Sequence, residues 1–210
     1  MKIGFSGSRS APWVLALGLT AMGPPAAASV VVYDFEGFLD STPLTSQLAG
    51  ISFSNATVIN AGASLNEFEY PPRSGGGVVF DDGGAISISF AAPVFAVGGY
   101  FTYLSALSLS AFDAANNLLG TVVHSAFASN LLVSGDPGSS PNESLSFANA
   151  SGLIARIVIT GDIAGASFVL DDLTVNIGNT IPEPRTLWLA LALLGAGVLP
   201  RGWLRRASVA

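Results

Sequence analysis

The chain is 210 residues long, half of them hydrophobic and 10% charged, with 24 glycines, 12 prolines and no cysteine. That length holds one ordinary domain plus terminal targeting segments, the composition sets aside a charged helical bundle or a polar disordered tail, and the missing cysteines exclude disulfides, thiol catalysis and thiolate metal sites. The net charge of -6 is unevenly spread: thirteen carboxylates but only Arg73 and Arg156 fall between Ser29 and Thr180, a balance of -11 that repels phosphate backbones and removes nucleic acid from the partners.

The N-terminus carries Lys2 and Arg9, then an apolar stretch over 11–22, then Gly23-Pro24-Pro25 and Ala26-Ala27-Ala28. A positive start, a short apolar helix and a small-residue end form a secretory signal peptide, residues 1–28, which signal peptidase is expected to cut between Ala28 and Ser29.

Next come short alternating segments separated by turn residues. Ile86, Ile88 and Phe90 alternate with Ser87 and Ser89, the period of a half-buried strand, and 107–111 repeats the pattern. Further strands are predicted at 30–36, 51–59, 78–80, 97–103, 118–124, 145–147, 154–160 and 167–175, making ten strands and no internal helix. Asp81-Asp82-Gly83-Gly84, Ala115-Asn116-Asn117 and the 135–141 loop supply the turns. The expected fold class is mainly β: residues 29–178 form an antiparallel two-sheet β-sandwich, jelly-roll-like, flanked by the N-terminal signal helix and a C-terminal transmembrane helix.

Within it, Asp34-Phe35-Glu36, Gly98-Gly99-Tyr100-Phe101-Thr102, 112–120 and Phe168-Val169-Leu170-Asp171-Asp172-Leu173 resemble the jelly-roll domains of exported sorting-tail proteins and the galactose-binding-like sandwiches used as carbohydrate-binding modules. The resemblance implies a structural calcium ion held by an acid from the first strand and one from the last, here Glu36 and Asp171. Strict alternation places Val30, Val32, Asp34 and Glu36 on one face, and Val169, Asp171, Leu173 and Val175 on another; Asp172 falls opposite, with Phe168, Leu170 and Thr174. A carboxylate on an apolar face needs a partner; with two arginines against thirteen acids, a hard cation and plain solvent exposure at strand ends both stay open.

No catalytic residue is assigned. His124, the sole histidine, has no cysteine and no Gly-x-Ser-x-Gly turn to work with, and Glu67 and Glu69 imitate a glycosidase pair only by spacing. All three tryptophans, Trp13, Trp188 and Trp203, lie in the tails, so any sugar platform falls to Tyr33, Tyr70, Tyr100, Tyr103 and the phenylalanines.

The tail over 179–210 has three parts: Ile181-Pro182-Glu183-Pro184, an apolar helix over about 187–204, and a basic end at Arg201, Arg205 and Arg206. Prolines flanking a glutamate present an extended recognition segment, and the arginines mark the cytoplasmic side. Together these parts resemble the PEP-CTERM sorting signal, with Pro182, Glu183 and Pro184 matching its motif. Ile181 stands where valine is commoner, and Arg185 where a small residue is usual. The resemblance implies an exosortase-type membrane protease as partner, a Gram-negative exopolysaccharide producer as host, and an inner-membrane anchored precursor delivered to the cell surface or extracellular matrix. The expected function is therefore that of a non-enzymatic, exopolysaccharide-associated surface protein with a structural or adhesive role. A dedicated carbohydrate-binding module and an extracellular glycan hydrolase stand as alternatives.

Overall fold

The computed structural model describes residues 29–123 and 127–178. The signal segment, the sorting tail with Pro182, Glu183, Pro184, Arg201, Arg205 and Arg206, and His124 lie outside the described residues. Among the described residues there are twelve strands, and no helix is long and apolar enough to cross a membrane. In chain order the strands are β1 (Val30–Tyr33), β2 (Thr42–Pro43), β3 (Ile51–Ser54), β4 (Ala56–Asn60), β5 (Gly77–Asp81), β6 (Ile86–Val94), β7 (Ala96–Tyr103), β8 (Ser108–Phe112), β9 (Leu118–Val123), β10 (Glu143–Ala148), β11 (Ile154–Thr160) and β12 (Phe168–Asn176).

They form two antiparallel sheets packed face to face. One runs β10-β7-β12-β5-β4-β2 with β1 also on β12; the other runs β3-β6-β11-β8-β9. The core between them contains Val79, Val97, Phe101, Phe168, Leu170, Leu173 and Val175 from the first sheet and Ile86, Ile88, Leu109, Ile157 and Ile159 from the second. Each such aliphatic side chain taken out of water contributes about 1.5–3 kcal/mol, which is how a chain without disulfides holds two sheets together. The alternation read at 86–90 is realised: Ile86 and Ile88 are buried, and Ser87 and Ser89 lie on the other side.

Three expectations change. The strand predicted over 51–59 is two strands in different sheets, because Asn55 takes a left-handed conformation (φ 56°) and its side-chain amide donates to the Ala85 carbonyl. Asparagine tolerates this backbone, so one residue turns the chain from one layer to the other. β2, only two residues long, carries no periodic signal and exists through its pairing with β4.

The third change is the facing of the first and last strands. Val30 and Val32 point outward, more than half exposed, while Tyr33 packs on the core. In β12 the register slips between Asp171 and Thr174, with Asp172 at φ 48°. This bulge reverses the parity that strict alternation assumes. Val169 and Asp171 share the outer face, and Leu173 and Val175 turn into the core. β5 pairs with β12 only at Val169 and Leu170, and β1 takes over at Leu173, so the bulge lies where one neighbour replaces the other.

Candidate functional site

The outer face of the larger sheet is divided in two. Over β4, β5 and the start of β12 it is covered by the 61–76 loop, which buries Leu65 against Val78 and Val169 with Ile59, Tyr70 and Phe80 around them. Burial pushes the Tyr70 phenol up to about 12, helped by the charges of Asp81 and Glu69. The far end of the loop is tied down: Asn142 Nδ2 donates to the Pro71 carbonyl at 3.0 Å, and the Val133 and Ser134 amides donate to Glu69 Oε2 at 3.3 and 3.2 Å. Glu69, considered above beside Glu67 as an imitation of a glycosidase pair, thus clamps two loops together.

The near end, residues 73–77, is held by the acids singled out from the sequence. Asp171, 1% exposed, accepts the main-chain N–H groups of Arg73 (2.7 Å) and Ser74 (3.0 Å) on Oδ2 and of Asp172 (2.7 Å) on Oδ1. Glu36 accepts from Gly76 and Gly77, both at 2.9 Å, and Ser74 Oγ donates to Asp172 Oδ1 at 2.9 Å. Burial pushes the Asp171 carboxyl up to about 6, outweighing the downward pull of the Ser74, Asp172 and Arg73 amides, and the Asp172 carboxylate adds to the rise. Gly75 is at φ 49°, and a side chain there would overlap the Glu36 carboxylate. Successive N–H groups turned to one side by such a backbone form an anion-binding nest.

Glu36, which is exposed, and Asp171, which is buried, therefore do converge on one five-residue segment, but the partner of both is the amide backbone. A carboxylate whose lone pairs already accept N–H groups has fewer left for a cation, and among the described residues no three His, Cys, Asp or Glu side chains are grouped to hold a metal ion. The donor set fits a loop latch better than a calcium cage. The same economy recurs elsewhere: Asp81, fully buried, accepts Ser167 N, Phe168 N and Ser167 Oγ, and Asp113 and Asp136 each accept two amides of their own loops. Many of the acids are thus used to fasten loops.

Where the 61–76 loop ends, the rest of the sheet is open. A trough of about 380 Å³ runs across β10, β7, the end of β12 and the start of β1, lined by Val30, Ala96, Gly98, Tyr100, Ser144, Ser146, Ala148, Thr174 and Asn176 with their neighbours. Its floor is low because Gly98 has no side chain: a Cβ there would stand 2.6 Å from the Ser146 Cβ and 2.9 Å from the Leu145 carbonyl. Its lining contains, among the described residues, no charged side chain. The guanidinium of Arg73 lies over the Tyr100 ring at 4.6 Å from its centroid, beside the trough. Asp171 fixes the Arg73 backbone, and the Tyr100 ring holds the guanidinium.

Of the four tyrosines available as a platform, only Tyr100 lines the trough. Tyr103 is buried, Tyr70 belongs to the covered half, and Tyr33 packs on the core with its hydroxyl donating to the Ala49 carbonyl. In the sequence Gly98 stands out only as part of the Gly98–Thr102 phrase and Thr174 only by its alternation with Asp172, and Ser144 and Ser146 carry no signal of a site. Small and polar residues alternating along paired strands look like an ordinary solvated face until the register sets them side by side. The signal of the nest is the run Arg73-Ser74-Gly75-Gly76-Gly77, which leads into β5.

The sequence matches no protein-family model, and no curated protein matches it. Solved structures similar in shape include the K2 cleaved adhesin domain of Lys-gingipain (TM-score 0.46, 11% identity, covering 70% of this chain and 99% of that one). A second is the family 29 carbohydrate-binding module CBM29_1 from Piromyces equi (0.40, 10%, 77% and 99%). A third is TmCBM61 in complex with β-1,4-galactotriose (0.37, 15%, 61% and 89%). This chain is similar in shape to carbohydrate-binding and adhesin sandwiches, and all three scores lie below 0.5.

Proposed function

We propose that this chain is an exported, non-enzymatic surface protein whose sandwich binds a glycan chain along the trough of its larger sheet. The observation that carries the reading is the lining. Short hydroxyls and an amide, Ser144, Ser146, Thr174 and Asn176, stand among apolar surface from Val30, Ala96, Phe147 and Ala148 around a side-chain-free floor at Gly98, with the Tyr100 ring at the side. Sugars present hydroxyl edges and C–H faces together, and a groove of small hydrogen-bonding groups with an aromatic wall meets both. One tyrosine supports weak binding, the kind that becomes effective when many copies meet a polymer. The lining offers no paired carboxylates, so the general acid and base of glycoside hydrolysis have no counterpart there. Export and delivery to the surface rest on the signal segment and the tail.

The test is affinity electrophoresis and calorimetry of the exported protein with neutral and acidic polysaccharides. Retardation that is lost in Ser146→Trp, which fills the trough, and reduced in Tyr100→Ala supports the reading. Binding unaffected by Ser146→Trp, or no binding across the panel, overturns it.

A further inference from the structure

Within residues 29–178 there are only two arginines, and the fold uses them differently. Arg156, on β11 in the smaller sheet, is occupied: its Nη2 donates to Asn116 Oδ1, and its guanidinium lies 4.2 Å from the Phe112 ring centroid. Arg73 is exposed beside the trough and, among the described residues, its guanidinium has no hydrogen-bond or ion-pair partner although thirteen carboxylates share the domain. What holds Arg73 is its own backbone N–H on Asp171 and the face of Tyr100. A guanidinium lying over an aromatic face keeps its N–H edge available, and that planar fork matches a carboxylate in a bidentate pair.

Resting on the glycan reading, we propose that the trough selects a sugar chain bearing an isolated carboxylate, a uronic acid flanked by neutral sugars, with Arg73 as the specificity-determining residue. The neutral lining takes the uncharged units, and Arg73 takes the carboxylate at the rim. The class is further narrowed by the domain's own charge. A polymer charged at every sugar meets a surface with a balance of -11, whereas a single carboxylate meets Arg73 first; at physiological salt, repulsion from charges beyond about 8 Å is largely screened, so the distant acids add little against a single charge. Because its guanidinium already lies on the Tyr100 ring and its backbone on Asp171, Arg73 is placed before the ligand arrives and loses less freedom on binding.

The experiment measures the full exported protein against a neutral glucan oligosaccharide carrying one glucuronate, the same oligosaccharide after carboxyl reduction, and a polyglucuronate. The expected result is about tenfold tighter binding of the first than of the second, equivalent to about 1.4 kcal/mol, with the preference shrinking as salt is raised. The polyglucuronate is expected to bind more weakly per sugar at low salt than the singly charged oligosaccharide. In Arg73→Gln and Arg73→Ala, which keep the amide bond to Asp171, the ratio of the first two affinities falls to one; the ratio is read within each variant, so a change in the amount of folded protein does not imitate it. Equal binding of the first two by the wild-type protein overturns this inference and leaves the glycan reading intact. Binding of none of the three overturns both.

Discussion

The main-chain N–H of Arg73 donates to Asp171 Oδ2 at 2.7 Å across 98 positions of sequence, joining the loop that covers half of one sheet to the bulge in the last strand. Through this bond the end of β12 determines where the covered half stops and the open trough starts. An unpartnered buried acceptor is costly, and so is an unpartnered buried amide; here each satisfies the other.

Asp171→Asn replaces one acceptor oxygen by an N–H2 group that confronts at least one of the three amides now bonded. Leaving a buried amide unpaired costs about 1–3 kcal/mol. A urea midpoint lowered accordingly, with an unchanged slope, is the expected outcome; an unchanged midpoint would show that the latch contributes nothing.

Gly75→Ala combines a positive φ with overlap of the Glu36 carboxylate, whereas Gly83→Ala meets a positive φ alone, with nothing within 4 Å of the added carbon. Left-handed backbone costs a non-glycine residue about 1–2 kcal/mol. Both variants lose that much in chemical denaturation, and the excess loss in Gly75→Ala measures the displacement of Glu36 from the Gly76 and Gly77 amides. Equal losses count against the Glu36 latch.

Burial raises the Asp81 carboxyl above its ordinary value, with the Ser167 hydroxyl and the Phe168 and Ser167 amides pulling down. The folded state therefore holds this proton more tightly than the unfolded chain does. The stability it contributes is full below the unfolded value near 3.8 and is lost as pH rises through the folded value. As pH rises from the unfolded value near 3.8, unfolding free energy is expected to fall more steeply in wild type than in Asp81→Asn. Parallel profiles would remove Asp81 from the linkage.

Melting with calcium and with chelator tests which partner Glu36 and Asp171 prefer. With amides already on both carboxylates, the two curves are expected to coincide. A ligand that binds only the folded state at a hundred times its Kd stabilises by about 2.7 kcal/mol, so a clear rise in Tm with calcium would restore the cation reading.

Processing is tested on the exported protein. Its N-terminus is expected at Ser29 by mass spectrometry, and in a host carrying an exosortase the alanine triple variant at Pro182, Glu183 and Pro184 is expected to accumulate as a full-length, membrane-bound form. Wild-type processing of that variant would reduce the segment to a plain anchor.

Much of the sandwich was legible in the sequence because its signals are local. Alternation at Ile86 and Ile88, β-branched runs such as 154–160, and glycine- and aspartate-rich turns depend on neighbours two or three residues away, and the observed β11 has the predicted bounds. The division into strands failed at Asn55, where one left-handed residue sends β3 and β4 to different sheets, a choice no periodicity encodes.

Glu36 and Asp171 could be singled out from the sequence, since carboxylates so outnumber arginines that salt bridges could not serve them all, but a cation and plain solvent exposure both stayed open. Their partner was decided by tertiary structure. The bulge at Asp172 inverted the facing of β12, and the glycine run at 75–77 brought backbone amides, donors that every residue but proline carries and that no composition count reveals, onto both acids. The trough belongs to the same class. Gly98, Ser144, Ser146 and Thr174 are unremarkable one by one, and only cross-strand register, fixed by hydrogen bonds between segments far apart in sequence, makes them one surface with Arg73 at its rim.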